Sequence, residues 1–115
     1  MTKRARFCIA GSGRLTLQCA DIIARAGHDI VLVVSRARDL RDWASEKHIP
    51  FLRSFRYRYR DCTAMPAFDY LFSIINGEIW DKSVLELPAK FAVNYHNSLL
   101  PAYAGIHAAS WALLN

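Results

Sequence analysis

The sequence predicts an α/β protein built on an open, doubly wound (Rossmann-like), mostly parallel sheet, the whole of residues 1–115 belonging to a single domain. Three observations carry this. Short continuous apolar runs alternate with amphipathic stretches of helical period, as βαβ units require. The runs lack polar alternation, and Ile30 to Val34 is rich in β-branched residues, as parallel strands buried on both faces are. A chain of 115 residues has material for one core and not for two.

The elements follow in order. Arg6 to Ala10 (RFCIA) is the first buried strand, and it ends in Gly11-Ser12-Gly13. A helical stretch follows with Leu15, Cys19, Ile22 and Ala26 on one stripe, closed by Gly27 as a C-terminal glycine. Ile30 to Val34 is the second strand. Arg38 to His48 reads as an amphipathic helix with Leu40, Trp43, Ala44 and Lys47 on one side, stopped by Pro50; Ile49 to Leu52 is a short third strand. Tyr70 to Ile75 is the fourth strand, ended by the turn pair Asn76-Gly77. Asp81 to Leu87 is a short helix, Phe91 to His96 the fifth strand, and a further helix begins near Gly105.

Composition sets the class. With 53% hydrophobic and 22% charged residues, the chain is globular rather than disordered. No stretch reaches the length of a membrane-spanning helix, and the apolar run after the basic N-terminus is too short for a signal sequence. A cytoplasmic protein without membrane contact is expected. The three cysteines, Cys8, Cys19 and Cys62, show no CxxC spacing and read as reduced thiols, the first two buried. The four histidines show no HxxxH or HxH pair, so no metal site is expected. A net charge of +5 favours anionic partners without choosing among them.

In a doubly wound sheet, ligands bind beyond the carboxyl ends of the strands. Three loops leave those ends: 11–14, 76–80 and 97–105. In the segment NYHNSLLPAYAG (94–105), strand geometry puts Asn94 and His96 on one face. An Asn amide donates hydrogen bonds and does not titrate; a His donates, accepts and changes charge near neutral pH. Together they suit an acyl transfer, which needs an oxyanion held and a proton moved. The alternative is that both side chains satisfy backbone groups of a turn.

The pattern Asn94-x-His96-x-Ser98-Leu99-Leu100-Pro101-x-Tyr103-x-Gly105 resembles the signature of folate-dependent formyltransferases. That family includes methionyl-tRNA formyltransferase, glycinamide ribonucleotide formyltransferase and formyltetrahydrofolate hydrolase. The resemblance runs from about Phe7 to Asn115, and YAGIHAASWALL is similar to formylation domains that precede peptide-synthetase modules. It implies a formyltransferase fold, with transfer of a formyl group from 10-formyltetrahydrofolate, a co-substrate, to a primary amine through a tetrahedral intermediate. Asn94 would hold the formyl oxygen, and His96 would stabilise the oxyanion and assist proton transfer. Asn76, Gly77, Glu78, Ile79 and Trp80 would border the pterin ring of the folate, with Ser98 and Leu99 completing the folate site. A plain strand-to-helix turn would explain 76–80 equally well.

The resemblance also implies a catalytic aspartate in a later segment, beyond residue 115. The expectation is therefore a truncated domain or a self-associating one, because its last strand would present an open edge. The acceptor amine stays open among carrier-bound, nucleotide-linked and aminoacyl-tRNA amines. Other readings are a non-catalytic folate- or nucleotide-binding remnant acting as an interaction module, and a formyltetrahydrofolate hydrolase. Against the hydrolase, Met1 precedes the first strand almost directly, whereas hydrolases of the family usually carry a regulatory domain there.

Two further stretches carry charge. Gly11, Ser12, Gly13 and Arg14 lie between a strand and a helix N-terminus, where free N–H groups suit a substrate phosphate. The loop lacks the third glycine of a dinucleotide fingerprint and a Walker lysine, and a tight turn without ligand is the competing reading. In FLRSFRYRYR (51–60), aromatic and basic residues alternate. Extended, the segment would carry one face of each kind and suit nucleic acid; as a loop, its aromatics would cover the core, the preferred reading.

Overall fold

Strands β1 (Arg6–Gly11), β2 (Asp29–Val34), β3 (Phe51–Leu52), β4 (Tyr70–Ile74) and β5 (Phe91–Tyr95) form one all-parallel sheet in the order β3-β2-β1-β4-β5. The computed structural model describes residues 3–57, 65–74 and 80–95. Strand order reverses at β1, so the topological switch point lies between β1 and β4. Helices α1 (Gly13–Arg25) and α2 (Arg38–Glu46) connect the strands on one side of that point, and the short α3 (Lys82–Leu85) lies between β4 and β5. This is the doubly wound α/β fold that the apolar runs predict.

The core has two layers, one on each face of the sheet. Phe7, Ile9, Ile30 and Val33 pack with Ala20 of α1 and with Leu40 and Ala44 of α2. On the opposite face, Cys8, Ala10, Leu32, Val34, Leu71 and Ala92 pack with Phe55, Phe68 and Val84. Consecutive β1 residues thus feed opposite layers, which is why their sequence is apolar throughout. Each fully buried Leu or Ile contributes roughly 1.5–3 kcal/mol in removed apolar surface.

Backbone bonds pin the strand starts. Arg6 N–H donates to the Asp69 carboxylate at 2.9 Å, and Asp69 N–H donates back to the Arg6 carbonyl at 2.9 Å. Bonding to the Arg6 amide, then to its guanidinium, holds the Asp69 carboxyl below its ordinary pKa. Asp81 caps α3 by accepting from Val84 N–H at 3.2 Å, and it also accepts from the Ser83 hydroxyl at 2.6 Å. Both aspartates therefore have structural work.

Two expectations about the helices are corrected. The core face of α1 is Thr16 and Ala20, flanked by Leu17, Ile23 and Ala24; Leu15 and Ile22 are exposed, Ile22 by 65%. The helix is turned by about one residue from the Leu15-Cys19-Ile22-Ala26 stripe, because the Thr16 hydroxyl bonds a carbonyl at the end of β4 and fixes the rotation. Second, α2 ends at Glu46, short of the expected His48. His48 has φ 58°, a left-handed conformation that reverses the chain, and Ile49 N–H returns to the Ala44 carbonyl at 2.8 Å.

Residues 55–57 form a 3₁₀ turn, so of the two readings of this stretch the extended, two-faced one does not hold there. The Ser54 hydroxyl accepts from Arg56 N–H at 3.0 Å and starts the turn, while Phe55 is buried in the core. An aromatic covering the core is what the loop reading of this stretch expects. Gly27, at φ 94°, does close α1 as predicted.

Candidate functional site

The carboxyl ends of β1, β4 and β5 lie side by side. Ala10 pairs in register with Ser73, and Ser73 with Asn94; Gly11 pairs with Ile74, and Ile74 with Tyr95. Asn94 has the same parity as Ala92 and therefore faces the layer that contains Ala10, Leu71 and Phe55.

Asn94 is 9% exposed, and its Nδ2 is buried with no hydrogen-bond partner among the described residues. A buried amide donor without a partner loses about 1–3 kcal/mol of solvation, so such groups are rare in folded proteins. The amide cannot titrate, and it offers its N–H hydrogens at the end of a strand where this fold binds ligands. Its neighbour in register, Ser73, is also buried.

Trp80 packs against the same layer as Ala92, its ring in edge-to-face contact with Phe55 at 5.2 Å and 87°. The structure thus brings Trp80 and Asn94 to one face of the sheet. Asn76, Gly77, Glu78, Ile79, His96, Ser98, Leu99 and the expected helix from Gly105 lie outside the described residues.

The first loop is built by crowding. Gly11 is buried with φ 145°, and a Cβ there would stand 2.0 Å from the Ile74 carbonyl oxygen and 2.9 Å from Thr16 Oγ1. The missing side chain at Gly11 is what lets β1 and the end of β4 approach. Ser12, Gly13 and Arg14 are exposed at the start of α1, and the Ser12 side chain does not cap the helix. Thr16 is fully buried, with Oγ1 2.9 Å from the Ser12 carbonyl oxygen and 3.0 Å from that of Ile74. Sequence reasoning passed over Thr16. Its one signal is a small hydroxyl residue one turn into a helix that follows a glycine-bounded strand.

Two concavities lie elsewhere. An apolar cavity of about 280 Å³ sits on the opposite face, between Leu15 and Cys19 of α1 and Phe72, Ile74, Val93 and Tyr95 of the sheet. A wider open groove of about 990 Å³ runs along β3, lined by Arg41, His48, Phe51 and Arg53 among others, with Arg41 over the Phe51 ring at 5.5 Å. β3 and β5 are opposite ends of the sheet, so this larger groove is remote from Asn94. Its lining is largely exposed, whereas Asn94 offers a buried donor.

The two described thiols, Cys8 and Cys19, are not poised for attack, and Cys62 lies outside the described residues. Burial pushes the Cys8 thiol pKa well up, and partial burial raises that of Cys19. Cys19 is half-buried rather than enclosed as expected, because its side of α1 faces the apolar cavity. His28 accepts Ala5 N–H through Nδ1 at 3.1 Å, a structural role. Among the described residues, no three His, Cys, Asp or Glu side chains gather where a metal would bind, and no helix is long and apolar enough to cross a membrane.

Comparison with known proteins supplies the family. A model of the formyl transferase family matches residues 3–115. The chain is 30% identical over 125 residues to a methionyl-tRNA formyltransferase of Anaeromyxobacter dehalogenans, covering 94% of this chain and 39% of that protein. It is 25% identical over 122 residues to the methionyl-tRNA formyltransferase of Alkaliphilus oremlandii, covering 91% of this chain and 39% of the other. With that of Clostridium novyi it shares 40% over 47 residues, 41% of this chain and 15% of the relative. The chain thus spans 39% of the length of the Anaeromyxobacter dehalogenans and Alkaliphilus oremlandii relatives.

Proposed function

Because the chain belongs to the formyl transferase family, we propose that it takes part in transferring a formyl group from 10-formyltetrahydrofolate to a primary amine, with Asn94 as the oxyanion-holding donor. The single observation that supports this reading is the buried Nδ2 of Asn94 at the carboxyl end of β5, without a hydrogen-bond partner among the described residues.

The amine nitrogen attacks the formyl carbon, and the carbonyl oxygen takes the electron pair as an oxyanion. The Asn94 amide donates to that oxygen. Because the amide is already desolvated, its bond to the oxyanion is strong and little reorganisation is needed. His96, two residues on, relays the proton from the attacking nitrogen to N10 of the leaving tetrahydrofolate as the C–N10 bond breaks. Asn76 to Trp80, with Ser98 and Leu99, border the folate. Gly11 to Arg14 contact an acceptor phosphate.

Residues 1–115 act as the N-terminal part of one formyltransferase domain in a cytoplasmic protein. The relatives named methionyl-tRNA formyltransferase favour an aminoacyl-tRNA acceptor, and the net charge of +5 suits its phosphates. β5 is the last strand of the described sheet, and self-association through its outer edge belongs to the same proposal.

The test incubates the intact protein with 10-formyltetrahydrofolate and, in separate reactions, methionyl-tRNA, an amino sugar nucleotide and a carrier-bound amino acid. Tetrahydrofolate release together with a formylated amine supports the reading, and the tRNA is the expected acceptor. Release without any amine would make the protein a hydrolase. No release, with folate still bound, would leave a binding module. Light scattering reads the oligomeric state, and a monomer at all concentrations would remove self-association.

A further inference from the structure

Thr16 is a fully buried polar residue that the proposed reaction does not use. Of its two hydroxyl contacts, the one to Ser12 lies four residues back and is one that helical Thr makes routinely. The other, to the Ile74 carbonyl, joins residues 58 apart in sequence. That carbonyl sits over the empty Cβ position of Gly11. The oxygen therefore rests in a socket made by a missing side chain on β1 and a hydroxyl on α1.

We propose that this Gly11–Thr16 socket positions Asn94, making Thr16 a positioning residue for the site at the end of β5. Ile74 pairs with Tyr95 and Ser73 with Asn94, so the place of the Ile74 carbonyl sets where the end of β5 lies. Asn94 Nδ2 has no partner of its own among the described residues to fix it. Its aim is inherited from the backbone, and the backbone at this point is held by the socket. Displacement of a catalytic group by about 1 Å can cost roughly a hundredfold in rate, so a modest shift of the β4 end is enough to matter.

The experiment uses the intact protein with Thr16→Val, which keeps the shape and removes the hydroxyl, and Thr16→Ser, which keeps the hydroxyl. The first readout is the side-chain amide resonance of Asn94, assigned by its disappearance in Asn94→Leu. T16V is expected to shift it and T16S to return it to the wild-type position. The second readout rests on the proposed formyl transfer: kcat is expected to fall about tenfold in T16V, KM for the formyl donor to change less than twofold, and T16S to recover most of the loss. If T16V does not fold, Thr16→Cys, with its weaker donor, takes its place under the same criteria.

A folded T16V with an unmoved Asn94 resonance and unchanged kcat would overturn the inference, as would a T16S that restores stability but neither readout. If the wild-type protein transfers no formyl group, the functional proposal fails alone, and the resonance still decides the socket.

Discussion

Replacing Gly11 with alanine would place a methyl carbon 2.0 Å from the Ile74 carbonyl oxygen, where real Cβ contacts essentially never fall below 3.0 Å. Relief requires the two to part by about 1 Å. The carbonyl belongs to β4, which is paired on both sides, to β1 and to β5, so it cannot withdraw without disturbing a ladder. The methyl also crowds Thr16 Oγ1 at 2.9 Å and must adopt φ near 145°. Backbone strain of that kind costs about 1–3 kcal/mol, and losing the buried bond to the Ile74 carbonyl costs about 1–3 more.

The expected loss is therefore about 2–6 kcal/mol, against a total stability of about 5–15 kcal/mol for an ordinary domain. Urea unfolding of the intact protein, followed by tryptophan fluorescence, measures it. A loss under about 1 kcal/mol would show that β4 yields easily, and the close approach at the switch point would then not be rigid. The size of the effect also separates two views of the first loop. A glycine kept for a bound phosphate alone would cost affinity and little stability; a glycine kept for the approach of β4 costs stability first.

Other outcomes follow from packing and charge. Leu71→Ala, at a fully buried position in the layer beneath Asn94, is expected to lose about 2–5 kcal/mol in the same assay; a loss below 1 kcal/mol would mean that the layer is loose. The Asp69 carboxyl is held below its ordinary pKa, so its stabilisation is full above the unfolded pKa and fades as pH falls through the lower folded value. Asp69→Asn should therefore be less stable than wild type at neutral pH, with the gap closing in acid. An acid titration that kept the gap constant would contradict the assigned ionisation.

Much of this was legible in the residues, for physical reasons. β1, β2 and β4 are buried on both faces, so their sequences are continuous apolar runs that read as strands and as little else. Asn94 was legible because a polar residue interrupts such a run at its carboxyl end. The rotation of α1 was not. Apolar residues occupy both the Leu15-Cys19-Ile22 stripe and the Leu17-Ile23-Ala24 face, and the choice between them is made by Thr16, a polar residue whose partner is 58 positions away. Likewise the turn at Phe55 is decided by the Ser54 hydroxyl and a buried ring, a local competition that alternation of aromatics and arginines hides. His48 ends α2 in a conformation that residue type alone does not announce.

The central claim is that the buried Asn94 Nδ2, without a partner among the described residues, serves as donor to an oxyanion. The most direct measurement compares formyl transfer from 10-formyltetrahydrofolate by the intact wild-type protein and by Asn94→Ala, with unfolding curves recorded alongside. The account predicts that kcat falls by about 10²-fold or more, the cost of losing an oxyanion donor, while the variant still unfolds cooperatively, because Nδ2 has no hydrogen-bond partner among the described residues to lose. A folded Asn94→Ala protein that transfers formyl groups within about threefold of the wild-type rate would contradict it.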